Sequence, residues 1–193
     1  MLKRIPKAIL PIMVTAASGI LLVGHSLSVS AGQSGMARPN TLVTPSTYIS
    51  LEPVPRGRTF ELAVVLKVRE GFHINAHEVS EEFLIPTEIA AELPPGFRSA
   101  GIIYPKGTLR KFAFSENKLN VYQGTVTVRM KVEALDSAPL GQQDLAFKLR
   151  YQACSEEACF PPVNLPVTAE LQVAARGAAA HPAHAEIFSS GRR

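Results

Sequence analysis

The chain contains two cysteines, Cys154 and Cys159, within the segment Tyr151-Gln-Ala-Cys-Ser-Glu-Glu-Ala-Cys-Phe-Pro-Pro162. A pair spaced this closely can stiffen a turn as a disulfide, cycle between disulfide and dithiol, or supply half of a zinc shell. Zinc would require His73 and His77 to converge on the pair from a distant segment, so it is the weakest of the three. A bridge stabilises mainly by closing a loop in the unfolded chain. A loop this short gives roughly 2 kcal/mol, against about 4.7 for a hundred-residue loop. The site is therefore a poor place for a staple. It is a reasonable place for a reactive disulfide, which needs one sulfur within reach of an attacking thiolate. The spacing is not Cys-x-x-Cys, and no βαβ pattern surrounds it. Glu156 and Glu157, between the cysteines, disfavour a thiolate. Spacing alone leaves the staple and the redox centre both open.

The elements around the pair read as β-strands. Apolar residues alternate with polar ones at period two, the signature of a half-buried strand. Phe60, Leu62, Val64, Leu66 and Val68 share one face. Val126, Val128, Met130 and Val132 share another, with Thr125, Thr127, Arg129 and Lys131 turned outward. Leu145, Phe147, Leu149 and Tyr151 form a third set, and Leu165, Val167, Ala169, Leu171 and Val173 a fourth. Weaker candidates run over 85–93, 102–104 and 111–114. Turn chemistry separates them at Glu70-Gly71, Pro94-Pro95-Gly96, Pro105-Lys106-Gly107 and Pro139-Leu140-Gly141. Many half-buried strands without an amphipathic helix predict an all-β, two-sheet sandwich. The cysteines follow the third strand and precede the fourth, which places them at a hairpin end, at one tip of the sandwich.

The first residues read differently. Lys3, Arg4 and Lys7 precede an apolar stretch from Ala8 to Val23, and Val29 and Ala31 are the small residues a signal peptidase reads. We expect residues 1–31 to be a secretory signal cleaved after Ala31; the alternative is a retained anchor. Without the three leader cations the formal charge falls from +4 to +1. No basic stripe with interleaved aromatics remains, so nucleic-acid binding has no support. Export favours an oxidised cysteine pair. Residues 32–46, rich in Gly, Ser, Pro and Thr, are expected to be a flexible lead-in and 47–174 the folded domain. Residues 175–193, with an Ala-rich stretch carrying His181 and His184, are expected to be a disordered tail.

Flanking residues add a resemblance. Tyr151-Gln-Ala-Cys154 with Cys159-Phe-Pro-Pro162 resembles the active-site segment of the N-terminal periplasmic domain of the protein-disulfide reductase DsbD. Gly71-Phe-His-Ile-Asn75, Phe83-Leu-Ile-Pro-Thr87, Tyr104-Pro105 with Lys111-Phe112, and Val121-Tyr-Gln-Gly124 fit other segments of that family in order. The resemblance runs from about residue 45 to 173. The resemblance implies an immunoglobulin-like sandwich and a thiol–disulfide shuttle of protein-disulfide reductase type, with no bound cofactor and no metal. By the same resemblance, Cys159 forms the mixed disulfide and Cys154 resolves it. The implied partners are a membrane-embedded thiol electron donor and periplasmic acceptors, a disulfide isomerase and a thioredoxin-like protein of cytochrome c maturation. A cap loop over 112–118 would shield the pair through Phe112 or Phe114. Tyr151, Gln152 and Phe160 are the candidate partner contacts. The best-known family members place one more residue between the cysteines. The 193 residues hold neither the family's multi-span membrane domain nor its thioredoxin-like domain, so separate proteins would have to supply them. The alternative is a non-catalytic immunoglobulin-like adaptor whose disulfide stiffens a recognition loop.

His73, Asn75 and His77 follow a strand and the Glu70-Gly71 turn. Asn75 is expected in a turn, and His73 is expected to satisfy a backbone group rather than act as acid or base.

Overall fold

A computed structural model describes residues 38–189. The expected leader, residues 32–37 of the lead-in and the last four residues lie outside the described residues.

The period-two alternation becomes two stacked four-stranded sheets, with strands numbered in chain order. The first sheet has the order β1 (Val43–Ile49), β4 (Arg58–Val68), β10 (Thr125–Ala134), β7 (Phe97–Ile103). The second has the order β3 (Val54–Pro55), β13 (Val163–Ala174), β11 (Gly141–Tyr151), β6 (Glu88–Glu92). The strands β4 and β10 pair antiparallel, with Val64 opposite Val128 and Leu62 opposite Met130. The hairpin β11–β13 pairs Leu145 with Ala169 and Phe147 with Val167. All four alternating sets point inward. Leu62, Leu66, Val132, Leu145, Leu149 and Ala169 are fully buried in one continuous core. Truncating any such Leu to Ala typically costs about 2–5 kcal/mol. The architecture is the immunoglobulin-like two-sheet β-sandwich.

A third, smaller sheet closes one end of the sandwich. Its order is β12 (Ala153–Cys154), β5 (His73–Asn75), β9 (Leu119–Tyr122), β8 (Thr108–Arg110). Beneath it Leu84, Phe112, Leu119 and Val121 form a second buried cluster. This end carries the cysteines.

Three expectations need correction. The lead-in is ordered from Pro39, because β1 pairs along β4 from Val43 to Ile49 and Leu42 and Val43 are buried. Residues 175–189 do not trail away. β14 (His181–Pro182) pairs with β2 (Leu51–Glu52), and the short helix α1 (Ala185–Phe188) ends in a buried Phe188. The guanidinium of Arg129 donates to the carbonyls of Ile187 and Phe188, which fixes that end to β10. Lys111–Phe114 is not a strand. Phe112 is drawn inward to the small cluster while Phe114 stays partly exposed, and the chain turns between them.

Candidate functional site

The hairpin β11–β13 narrows to a tip at the cysteines. Ser155 N–H donates to the Ala158 carbonyl at 2.8 Å, and Phe160 N–H donates to the Ala153 carbonyl at 2.8 Å. Those two bonds flank Cys154 and Cys159, which makes the cysteines a non-hydrogen-bonded antiparallel pair. Such pairs hold facing Cα atoms closest; here the separation is 3.9 Å and the sulfurs are bonded at 2.01 Å. Ser155 shapes the turn, its hydroxyl accepting from the N–H groups of Glu157 and Ala158 and donating to the Glu157 carboxylate. Glu156 and Glu157 are left exposed on the tip.

The two sulfur residues differ in environment. On its other side β12 pairs with β5, so Cys154 lies between His73 and Cys159. Cys154 is fully buried, whereas Cys159 is exposed. A thiolate arriving from solvent therefore meets Cys159 first.

The three residues of β5 are all buried. This corrects the expectation that Asn75 marks a turn and that His73 merely satisfies a backbone group. Asn75 ties three segments together. Its amide donates to the Ile85 carbonyl at 2.9 Å and to Gln152 Oε1 at 3.3 Å, and its own carbonyl accepts from the Thr87 hydroxyl at 2.6 Å. Gln152 in turn donates to the Phe160 carbonyl across the hairpin. The Gly-aromatic-His-Ile-Asn and Ile-Pro-Thr segments thus meet in the wall behind the disulfide. His73 is 1% exposed, and its Nε2 has no protein hydrogen-bond partner. Desolvation, assisted by the nearby Arg110 guanidinium, pulls its pKa down to about 4, so the ring is neutral at pH 7. His77 stacks on Tyr104, with its Nδ1 at 3.1 Å from the Thr87 carbonyl.

The segment 111–118 folds over this wall. Phe112 is buried and stacks on His73, and Phe114 lies parallel to Phe112 with centroids 5.5 Å apart. The loop is braced by Lys111, whose ammonium reaches the Ser115 and Glu116 carbonyls. It is tethered by Asn117 donating to Glu81 at 2.8 Å. Phe114 and Cys159 both open into one groove.

Of the residues expected to meet partners, Gln152 and Phe160 are partly exposed beside Cys159. Tyr151 is not available. Its ring is fully buried in the main core and its hydroxyl donates to the Pro39 carbonyl at 2.7 Å. The alternation along β11 that fixes Leu145, Phe147 and Leu149 inward fixes Tyr151 inward as well.

Residues 40–170 match the family described as thiol:disulfide interchange protein DsbD, N-terminal. The chain belongs to that family. The Cys154–Cys159 disulfide of this DsbD N-terminal family member is the centre of a thiol–disulfide interchange domain. Similar solved structures include the reduced DsbD N-terminal domain of Neisseria meningitidis, at 14% identity over 76% of this chain and 94% of that one, with a TM-score of 0.45. The N-terminal periplasmic domain of ScsB from Proteus mirabilis is 12% identical over 71% of this chain and 49% of that one, with a TM-score of 0.47. No curated protein matches the chain.

Sequence reasoning underrated His73. A three-residue strand is too short to show periodicity, and a histidine after a Glu-Gly turn reads as a loop residue. The signal available was its place within the Gly-aromatic-His-Ile-Asn segment that the family resemblance singles out.

Proposed function

We propose that the chain is a periplasmic electron carrier of protein-disulfide reductase type. It takes reducing equivalents from a membrane-embedded thiol donor and hands them to periplasmic thioredoxin-like or disulfide isomerase proteins. Residues 1–31 serve as its export signal. The observation that supports the direction of attack is the asymmetry of the pair, with Cys159 exposed and Cys154 buried.

In the reduced state the Cys159 thiolate attacks one sulfur of the partner disulfide. A Cys159–partner disulfide forms and the partner's other sulfur leaves as thiolate. Cys154 then loses its proton and attacks the Cys159 sulfur, closing the 154–159 bridge and expelling the partner's first sulfur as thiolate. Two electrons pass from the pair to the partner, and the donor's dithiol restores the pair by the reverse sequence. Phe112 and Phe114 act as the cap, limiting access between encounters. Single serine variants test this. Cys154→Ser should accumulate mixed disulfides with periplasmic proteins through Cys159, while Cys159→Ser should trap none. If neither variant traps a protein, the carrier reading fails.

A further inference from the structure

Between the hairpin tip and the cap runs a groove of about 400 Å³ into which Cys159 opens. Its apolar lining comes from Phe83, Leu84, Phe114 and Leu119. Phe83 is 78% exposed, the highest among the described large apolar side chains, and Phe114 is 37% exposed. A largely exposed ring and a partly exposed one beside a reactive sulfur are the kind of apolar patch that marks a contact surface. The polar rim is acidic. Glu81 and Glu116 line the groove, and Glu156 and Glu157 stand exposed on the adjoining tip. Of the nearby cations, Lys111 is turned onto the cap's own carbonyls, and Lys118 is exposed on the cap but does not line the groove.

We propose that this groove is the specificity site for the exchange partner. It seats a bulky apolar side chain next to the partner's reactive cysteine, flanked by Lys or Arg facing the glutamates. The inference rests on the thiol–disulfide exchange reading and adds to it the chemistry of the preferred partner. Phe83 and Phe114 give the apolar side chain a surface to bury, and the four carboxylates favour a basic neighbour and repel an acidic one.

The test uses the full chain, reduced, and short peptides whose single cysteine is joined to 2-nitro-5-thiobenzoate. Cys159 attacks the peptide sulfur and releases the coloured thiolate. Cys154 then frees the peptide thiol, and the protein ends as the disulfide. Of the peptides Lys-Cys-Leu-Lys, Lys-Cys-Gly-Lys, Glu-Cys-Leu-Glu and Glu-Cys-Gly-Glu, the first should react about tenfold faster than the last, with the mixed pair between. Phe83→Ser should remove most of the advantage of Leu over Gly, and Glu81→Gln with Glu116→Gln should reduce the advantage of Lys over Glu. The small, uncharged bis(2-hydroxyethyl) disulfide, which offers the groove neither a bulky apolar side chain nor a charge, should oxidise the pair in all three proteins without such a ranking. Reactivity with that reagent but peptide rates within twofold of each other would overturn the groove proposal alone. No net oxidation of the pair by any of these disulfides would overturn the exchange reading beneath it.

Discussion

The ring of Phe112 lies on the ring of His73, centroids 3.9 Å apart and planes within 16° of parallel. His73 faces Cys154 across the β5–β12 ladder. One stacked pair therefore links the 111–118 loop to the strand that backs the inner cysteine. Loss of the stack should loosen that loop. Phe112→Ala is expected to cost about 3 kcal/mol in urea unfolding, since the ring is also a main member of the small buried cluster. The same variant should speed reduction of the disulfide by dithiothreitol severalfold. Phe114→Ala, which removes a partly exposed ring, should cost less stability and change the reduction rate less.

The buried His73 makes stability depend on pH. Its pKa is about 4 in the folded protein and about 6.5 when unfolded. Between those values the unfolded chain binds a proton that the folded protein does not. Stability from this group is therefore complete above pH 6.5, is lost as pH falls toward 4, and levels off below. The loss totals roughly 3 kcal/mol. Urea unfolding of wild type and His73→Phe at pH 7.5 and pH 4.5 checks this. The wild type should lose about 2–3 kcal/mol more than the variant over that interval.

Tyr151 separates packing from contact. Tyr151→Phe keeps the buried ring and removes one hydrogen bond, to the Pro39 carbonyl. It should cost about 1 kcal/mol of stability and leave the rate of exchange with a protein disulfide unchanged. A large loss of rate at unchanged stability would mean the residue meets partners after all.

The sandwich was legible because each main strand is half-buried. Leu62, Val64 and Leu66 alternate with residues of the opposite face, and only a β-strand satisfies that period. The hairpin position of the cysteines followed from lying between two such strands. What stayed hidden depends on contacts distant in sequence. Val43 and Leu42 are buried only because β1 runs along β4, and nothing in a Gly-, Ser- and Pro-rich stretch signals that pairing. Phe188 is buried by Arg129 and β4, far from an Ala-rich segment that looks featureless. Lys-Phe-Ala-Phe over 111–114 mimics strand alternation, yet the fold draws Phe112 onto His73 and turns the chain there. Tyr151 belongs to the segment that carries the cysteines, yet its phase along β11 points inward.

The reduction potential of the Cys154–Cys159 pair tests the central claim most directly. Equilibrating the protein in dithiothreitol buffers of known potential and alkylating the free thiols gives the midpoint. A carrier must be reducible by its donor, so the account predicts a value above about −300 mV. A midpoint below about −300 mV would mark a structural bridge, contradict the carrier function, and leave an immunoglobulin-like adaptor with a pinned hairpin.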